Sequence, residues 1–276
     1  MKIKIVADSS ANLLELPGVE FESVPLTIRT EEREFVDTAE LDIEEMANYF
    51  KEYKGKSGTS CPGVGDYLNA YEGYDYVYVV TIISKLSGSY NAAVTAAHQY
   101  EEQYPGRRVF VMDSFSTGSQ MKLILEKCRD LVLAGKDFDT VCEELIAYKE
   151  QHTSLVFCLE SMHNLANNGR VKPAVAMLAS ILGIRVVGDV GDEGLHPTNK
   201  CRGEKCAVKE ILNNMKRLGY KGGRLIIDHC FNEETAAKVK EAVRGEFPGA
   251  DIIIAATRGL CTFYAERGGL IIGFEV

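Results

Sequence analysis

Residues Tyr76 to Tyr104 constrain this chain more than any other stretch. Val77, Tyr78, Val79, Val80, Thr81, Ile82 and Ile83 form an unbroken apolar, β-branched run, the composition of a buried strand in a parallel sheet. Ser84-Lys85-Leu86-Ser87-Gly88-Ser89 breaks the run, and Tyr90, Ala93, Val94, Ala97, Tyr100 and Tyr104 follow at helical spacing. A buried strand that turns directly into a helix belongs to an α/β fold. It also offers a place for an anion, because the first N–H groups of a helix lack partners and carry partial positive charge. The spacing puts Ser87 at the helix N-cap and Gly88 where a ligand would approach the backbone. A serine that only caps its helix would look the same.

The pattern recurs on both sides. Strand 2–6 runs into Asp8-Ser9-Ser10, and strand 108–112 runs into Asp113-Ser114-Phe115-Ser116. Ligands of open parallel sheets bind at the carboxyl ends of the strands, so three hydroxyl turns on one edge are a stronger signal than any one of them. The rest of the first half reads as one or two strands within 19–28 with Pro25 at an edge, and a helix over 42–53. A loop over 54–65 holds Thr59-Ser60-Cys61-Pro62, Pro62 opens a short helix to about Tyr71, and further helices cover 117–134 and 138–150. The second half restarts with a strand at 154–159 and a short helix or turn over 160–170. Then come an apolar helix over Ala174–Leu182, a hairpin of 184–188 with 195–200 through the turn Asp189–Gly194, and a helix at 204–218. Strand 224–227, helix 233–246, strand 251–255, a helix near 259–266 and strand 270–274 complete it. The expected architecture is two α/β domains, 1–153 and 154–276.

Charge and composition exclude several classes. A net charge of −9 with no basic cluster argues against nucleic acid and against an anionic membrane as partner. The N-terminus enters a strand at once, unlike a signal peptide, and the uncharged apolar stretch Pro173 to Ile184 is about a dozen residues where a membrane span needs about 20. Eight cysteines without a secretory signal read as reduced thiols, and the expected location is the cytoplasm. Catalytic signatures fail on inspection. Gly55-Lys56-Ser57 ends like a P-loop, but Phe50 stands where glycine is required. Gly63-Val64-Gly65 starts a dinucleotide fingerprint, but Leu68 replaces its third glycine. No G-x-S-x-G exists. Cys201, Cys206 and His196 match no common zinc spacing, and Asp8 and Asp113 read as residues that orient their turns, so neither metal nor cofactor is expected. A binding protein therefore leads. The alternative, a small-molecule transferase or hydrolase using Asp8, Asp113 or Ser87, lacks an activating histidine in any strand-end turn.

Seven short motifs occur in an order that resembles the DegV family: Asp8-Ser9-Ser10, Pro25-Leu26, Thr59-Ser60-Cys61-Pro62, Leu86-Ser87-Gly88-Ser89-Tyr90, Asp113-Ser114, Asn168-Gly169-Arg170 and Lys200-Cys201-Arg202. The resemblance spans essentially the whole chain. It implies two α/β domains with one long-chain fatty acid in a tunnel between them, which some members present to a separate fatty acid kinase. It implies carboxylate binding at the tunnel's inner end for Thr59, Ser60, Ser87 and Gly88, and a role for Arg170 and Arg202 at the tunnel mouth, in phosphate or kinase contact; the strand-end Ser114 and the C-terminal Tyr264 join the candidate lipid-binding residues. Two departures stand out. Cys61 replaces the glutamine of the family's T-S-Q-P. The C-terminal stretch Thr257 to Tyr264 lacks the histidine that helps bind the head group, leaving Tyr264 or Arg258 as substitutes. Ala174 to Ile184 is the candidate tunnel wall, or plain core.

Overall fold

The structure, a computed structural model, describes residues 1–172, 183–191 and 194–276. The expected apolar helix over Ala174–Leu182, and the tunnel wall read into it, lie outside the described residues, as do positions 192–193 of the hairpin turn. In the first half the elements are β1 (Ile3–Asp8), a 3-10 turn (Ser9–Ala11), β2 (Phe21–Val24), β3 (Thr27–Thr30), β4 (Glu34–Val36), α1 (Ile43–Glu52), β5 (Ser57–Ser60) and α2 (Val64–Tyr71). They continue with β6 (Tyr76–Thr81), α3 (Ser89–Gln103), β7 (Arg108–Asp113), α4 (Ser119–Leu133) and α5 (Phe138–His152). The second half holds β8 (Thr153–Leu159), α6 (His163–Asn167), β9 (Ile184–Gly191), β10 (Gly194–Arg202), α7 (Glu204–Arg217), β11 (Leu225–His229), α8 (Glu233–Glu246), β12 (Ile252–Ala256), α9 (Gly259–Ala265) and β13 (Leu270–Glu275).

Three sheets organise these elements. One is four-stranded, in the order β2-β1-β6-β7, and every pair in it is parallel. β6 is central and its Val77 to Thr81 are buried, as a strand covered by helices on both faces must be. The second sheet is six-stranded and mixed, in the order β10-β9-β8-β13-β11-β12. The third, β4-β3-β5, is antiparallel, and two of its strands went unread: Ser57–Ser60 was expected as loop and Glu34–Val36 not at all. Ser57-Gly58-Thr59-Ser60 carries neither an apolar run nor strong strand formers, so only its pairing with β3 makes it a strand. The short second helix begins at Val64 behind Gly63, two residues later than Pro62 suggested. Among the described residues no helix is long and apolar enough to cross a membrane.

The halves interlock. Leu260 and Phe263 of α9 are buried in the cluster built by β1, β3, β6 and α4, so a helix late in sequence completes the first half's core. The start of α4 presses on β13 at Gly273, where a Cβ would lie 2.4 Å from the Gln120 nitrogen, so only glycine fits. Beside that contact sits a buried ion pair. Lys122 Nζ reaches Asp228 Oδ1 at 2.6 Å, and Asn12 donates to Asp228 Oδ2 at 2.9 Å. Burial pushes the Asp228 carboxyl up, and the Lys122 ammonium pulls it back.

Candidate ligand-binding site

The cavity lies where the carboxyl edge of the parallel sheet meets the six-stranded sheet. It holds about 700 Å³ of empty space, counted out into its opening. Its walls are overwhelmingly apolar. Along β8, Leu155, Phe157 and Leu159 alternate onto the cavity while Val156 and Cys158 turn into the opposite core. Leu26, Ile82 and Leu86 close it from the first half.

Among the described residues its polar groups are few: Thr59, Ser87, Thr117, Arg170, Cys261 and Tyr264. Thr59 Oγ1 and the Tyr264 hydroxyl lie 2.7 Å apart, bonding β5 to α9. Burial pushes the Tyr264 phenol up, while Thr59 and the Arg170 guanidinium oppose that shift. Arg170 lies half-buried, and its Nε donates to the Leu86 carbonyl at 3.2 Å, tying it to the Ser87 turn. Four hydroxyls and a guanidinium thus belong to a wall otherwise built for hydrocarbon. Hydroxyls that donate and a fixed cation are what a carboxylate needs.

The strand-end turns work differently from what the sequence suggests. Gly88, not Ser87, is the N-cap residue of α3; Ser87 stands one position earlier and accepts from the Ser89 N–H at 3.3 Å. Most other turn hydroxyls are already engaged. Ser9 Oγ accepts from the Leu26 N–H at 3.0 Å, and Ser10 Oγ donates to Asp8. Ser114 is buried, with its Oγ bonded to the carbonyl and N–H of Ser116, and it lies outside the cavity wall. Its role as a lipid contact is corrected accordingly: its hydroxyl folds its own turn. Asp113 accepts from the N–H groups of Ser84 and Phe115, and Asp8 from those of Ser10 and Ile82. Both orient turns, as the sequence suggested.

Of the other expected site residues, Thr59, Ser87, Arg170 and Tyr264 share the cavity, whereas Ser60, Gly88 and Arg202 are not among its lining. Strand alternation accounts for Ser60, which neighbours Thr59 on β5 and takes the opposite face. Gly88 is exposed, and a Cβ on it would stand 3.1 Å from the Cys61 sulfur, so the residue that departs from the family pattern packs on this glycine. Arg202 is exposed at the end of β10. The two substitutes expected for the missing histidine sit differently. The Arg258 guanidinium faces Asp37 and donates to the Thr38 carbonyl, while the Tyr264 hydroxyl reaches the cavity wall. Asp37 went unnoticed in the sequence. Its buried carboxylate accepts from the Gly259 and Leu260 N–H groups at 2.9 Å each and holds the start of α9. Burial pushes that carboxyl up, against the pull of its donors and of Arg258. Gly259 is obligatory there, since a Cβ would sit 2.7 Å from the Asp37 carboxyl carbon. The apolar alternation at 155, 157 and 159 was the one available sign of the β8 wall. Among the described residues, no three His, Cys, Asp or Glu side chains converge as metal ligands.

Residues 2–275 match a family model described as "Uncharacterised protein, DegV family". A DegV domain-containing protein of Streptococcus pneumoniae strain R6 is 40% identical over 281 aligned positions, covering 100% of both chains. Two solved structures superpose with a TM-score of 0.97. One is a DegV family protein of Eubacterium eligens loaded with heptadecanoic acid, 40% identical and covered to 99% on both sides. The other is the Fatty Acid Kinase (Fak) B3 protein of Streptococcus pneumoniae loaded with linoleic acid, 39% identical and covered to 100% on both sides.

Proposed function

The chain belongs to the DegV family, and from that premise we propose that it binds one long-chain fatty acid in the cavity between two domains, 1–153 and 154–276, and presents it to a fatty acid kinase. The observation that carries the reading is the cavity itself, an apolar chamber whose few polar groups include two hydroxyls already 2.7 Å apart. The acyl chain supplies the affinity. About 15 buried methylenes at ~0.8 kcal/mol each gain on the order of 12 kcal/mol gross, before the costs of binding. The head group sets direction. Ser87 and one hydroxyl of the Thr59–Tyr264 pair donate to the carboxylate, the other proton of the pair holding the two together, and Arg170 supplies the nearby positive charge that offsets its desolvation.

The protein acts as a carrier, with the phosphoryl chemistry done by its partner. Ser87 has no base beside it: its hydroxyl meets the backbone N–H of Ser89, and no histidine lines the cavity among the described residues. Arg170 and Arg202 are the residues this reading assigns to contact with the phosphate or the kinase. All eight cysteines are free thiols, which supports a reducing compartment such as the cytoplasm. The test is direct. Denaturing extraction of the protein purified from cells, followed by mass spectrometry, should return a long-chain fatty acid at about one per chain. No lipid in the extract, together with no binding of a fluorescent fatty acid, overturns the reading.

A further inference from the structure

We propose that Asp8, which does not line the cavity, is the positioning residue for the carboxylate cradle, acting through Ser89 on the turn that presents Ser87. This inference rests on the fatty-acid reading and adds to it the device that fixes the polar end of the site.

The turn from Ile82 to Ser89 contributes Ile82, Leu86 and Ser87 to the cavity wall. Asp8, at the end of the neighbouring strand β1, takes hold of both ends of that turn with one oxygen. Its Oδ2 accepts from the Ile82 N–H at 2.8 Å and from the Ser89 hydroxyl at 2.6 Å. Oδ1 accepts from the N–H and hydroxyl of Ser10. The Ser89 hydroxyl is held from its far side by the Tyr67 hydroxyl at 2.6 Å. Asp8, Ser10, Ser89 and Tyr67 are fully buried, so none of these bonds has water as a competitor. The Ser89 N–H in turn is what the Ser87 hydroxyl accepts from, at 3.3 Å. The chain of contacts therefore runs Tyr67 to Ser89 to Asp8 on one side, and from the Ser89 backbone to the ligand-facing Ser87 on the other.

A buried charge is costly unless every lone pair is used. Four donors meet this one. What they fix is the turn at the wall of the cavity where Ser87 must meet, within hydrogen-bond tolerance, the carboxylate that the Thr59–Tyr264 pair also faces. An amide at position 8 keeps the shape of the side chain but turns one acceptor into a donor, so either the Ser89 or the Ser10 hydroxyl must rotate away and the turn loosens.

The experiment compares oleic acid with oleyl alcohol, which share an acyl chain and differ in the head group. Displacement of a fluorescent fatty acid gives both dissociation constants for the parent, Asp8→Asn, Ser89→Ala and Ser89→Thr, with thermal melting as the folding control. The expected result is a fall in the preference for acid over alcohol of about five- to tenfold in Asp8→Asn and Ser89→Ala, with alcohol affinity within about twofold of the parent. Ser89→Thr, which keeps the hydroxyl, should restore the preference. Acid and alcohol weakening in parallel, or an unchanged preference, would overturn the positioning role. If Asp8→Asn does not fold, the two Ser89 variants decide the question alone. A parent that binds neither ligand refutes the fatty-acid reading, and this inference falls with it; a binding-competent parent with a flat preference across the variants refutes the inference only.

Discussion

Replacing Tyr264 by phenylalanine isolates one atom of the cradle. The ring of Tyr264 packs edge-on against Phe263 at 4.9 Å between centroids, and that packing survives the substitution. What disappears is the hydroxyl bonded to Thr59. If that bond serves only to join β5 to α9, its loss costs ~1 kcal/mol of stability and leaves ligand affinity alone. If the phenol also donates to the carboxylate, the loss is a hydrogen bond to a charged group, ~1.5–3 kcal/mol, or about 10- to 150-fold in Kd. The acyl chain still contributes most of the gross energy, so binding should weaken without vanishing. Titration with oleic acid measures the change. Melting with and without ligand checks it, because each tenfold loss in affinity removes about 1.4 kcal/mol of ligand-induced stabilisation at saturating ligand. The phenol's titration gives a second handle. Burial holds its pKa above the ordinary value, so it begins to ionise at higher pH than an exposed phenol does. Oleate affinity of the parent should therefore show no fall attributable to this phenol up to about pH 9. A Tyr264→Phe protein that binds oleate within twofold of the parent would refute the placement of the carboxylate beside this hydroxyl.

Three further outcomes follow from the geometry. Phe157→Asp puts a carboxylate on the apolar β8 wall, and extraction of the purified variant should return little or no fatty acid while circular dichroism stays close to the parent. Arg170→Ala should weaken both lipid binding and phosphorylation by a partner kinase, because Arg170 lines the cavity, whereas the exposed Arg202→Ala should spare lipid content and affect phosphorylation alone; equal lipid loss in both would contradict the assignment. Lys122→Met strands the Asp228 carboxylate and should cost ~3–5 kcal/mol near neutral pH by urea unfolding, with Lys122→Met/Asp228→Leu recovering much of it. The pH dependence has a definite sign. Asp228 already titrates above its unfolded value, and loss of the ammonium raises it further. A group raised in the folded state contributes stability at low pH that is lost as pH rises through its folded pKa, so the deficit of Lys122→Met relative to the parent should shrink from pH 8 to pH 5. A constant deficit would mean that Asp228 stays ionised throughout.

Periodicity made the scaffold readable, because it reports burial, and burial is a property of whole elements. The run from Val77 to Ile83 reads as a buried strand and is one as far as Thr81, and α8 over 233–246 begins and ends where its apolar spacing does. β5 escaped for the complementary reason: Ser57 to Ser60 becomes a strand through the hydrogen bonds of β3, thirty residues earlier, and nothing local records that partner. The site divides along the same line. That hydroxyls cluster at three strand ends is a local fact and could be read. Which hydroxyl remains free for a ligand depends on who else claims it. Ser9 is claimed by Leu26 and Ser10 by Asp8, Ser114 closes its own turn, and Ser87 is left facing the cavity. Asp37 and Tyr264 illustrate the limit from the other side. Asp37 precedes α9 by more than two hundred residues, yet its carboxylate fixes the start of the helix that carries Tyr264 to Thr59. On the proposed reading, a cradle assembled from both halves of the chain makes head-group recognition depend on how the halves dock. The buried Lys122–Asp228–Asn12 contact and the Asp37 clamp would then belong to the chemistry of binding as much as to the stability of the fold.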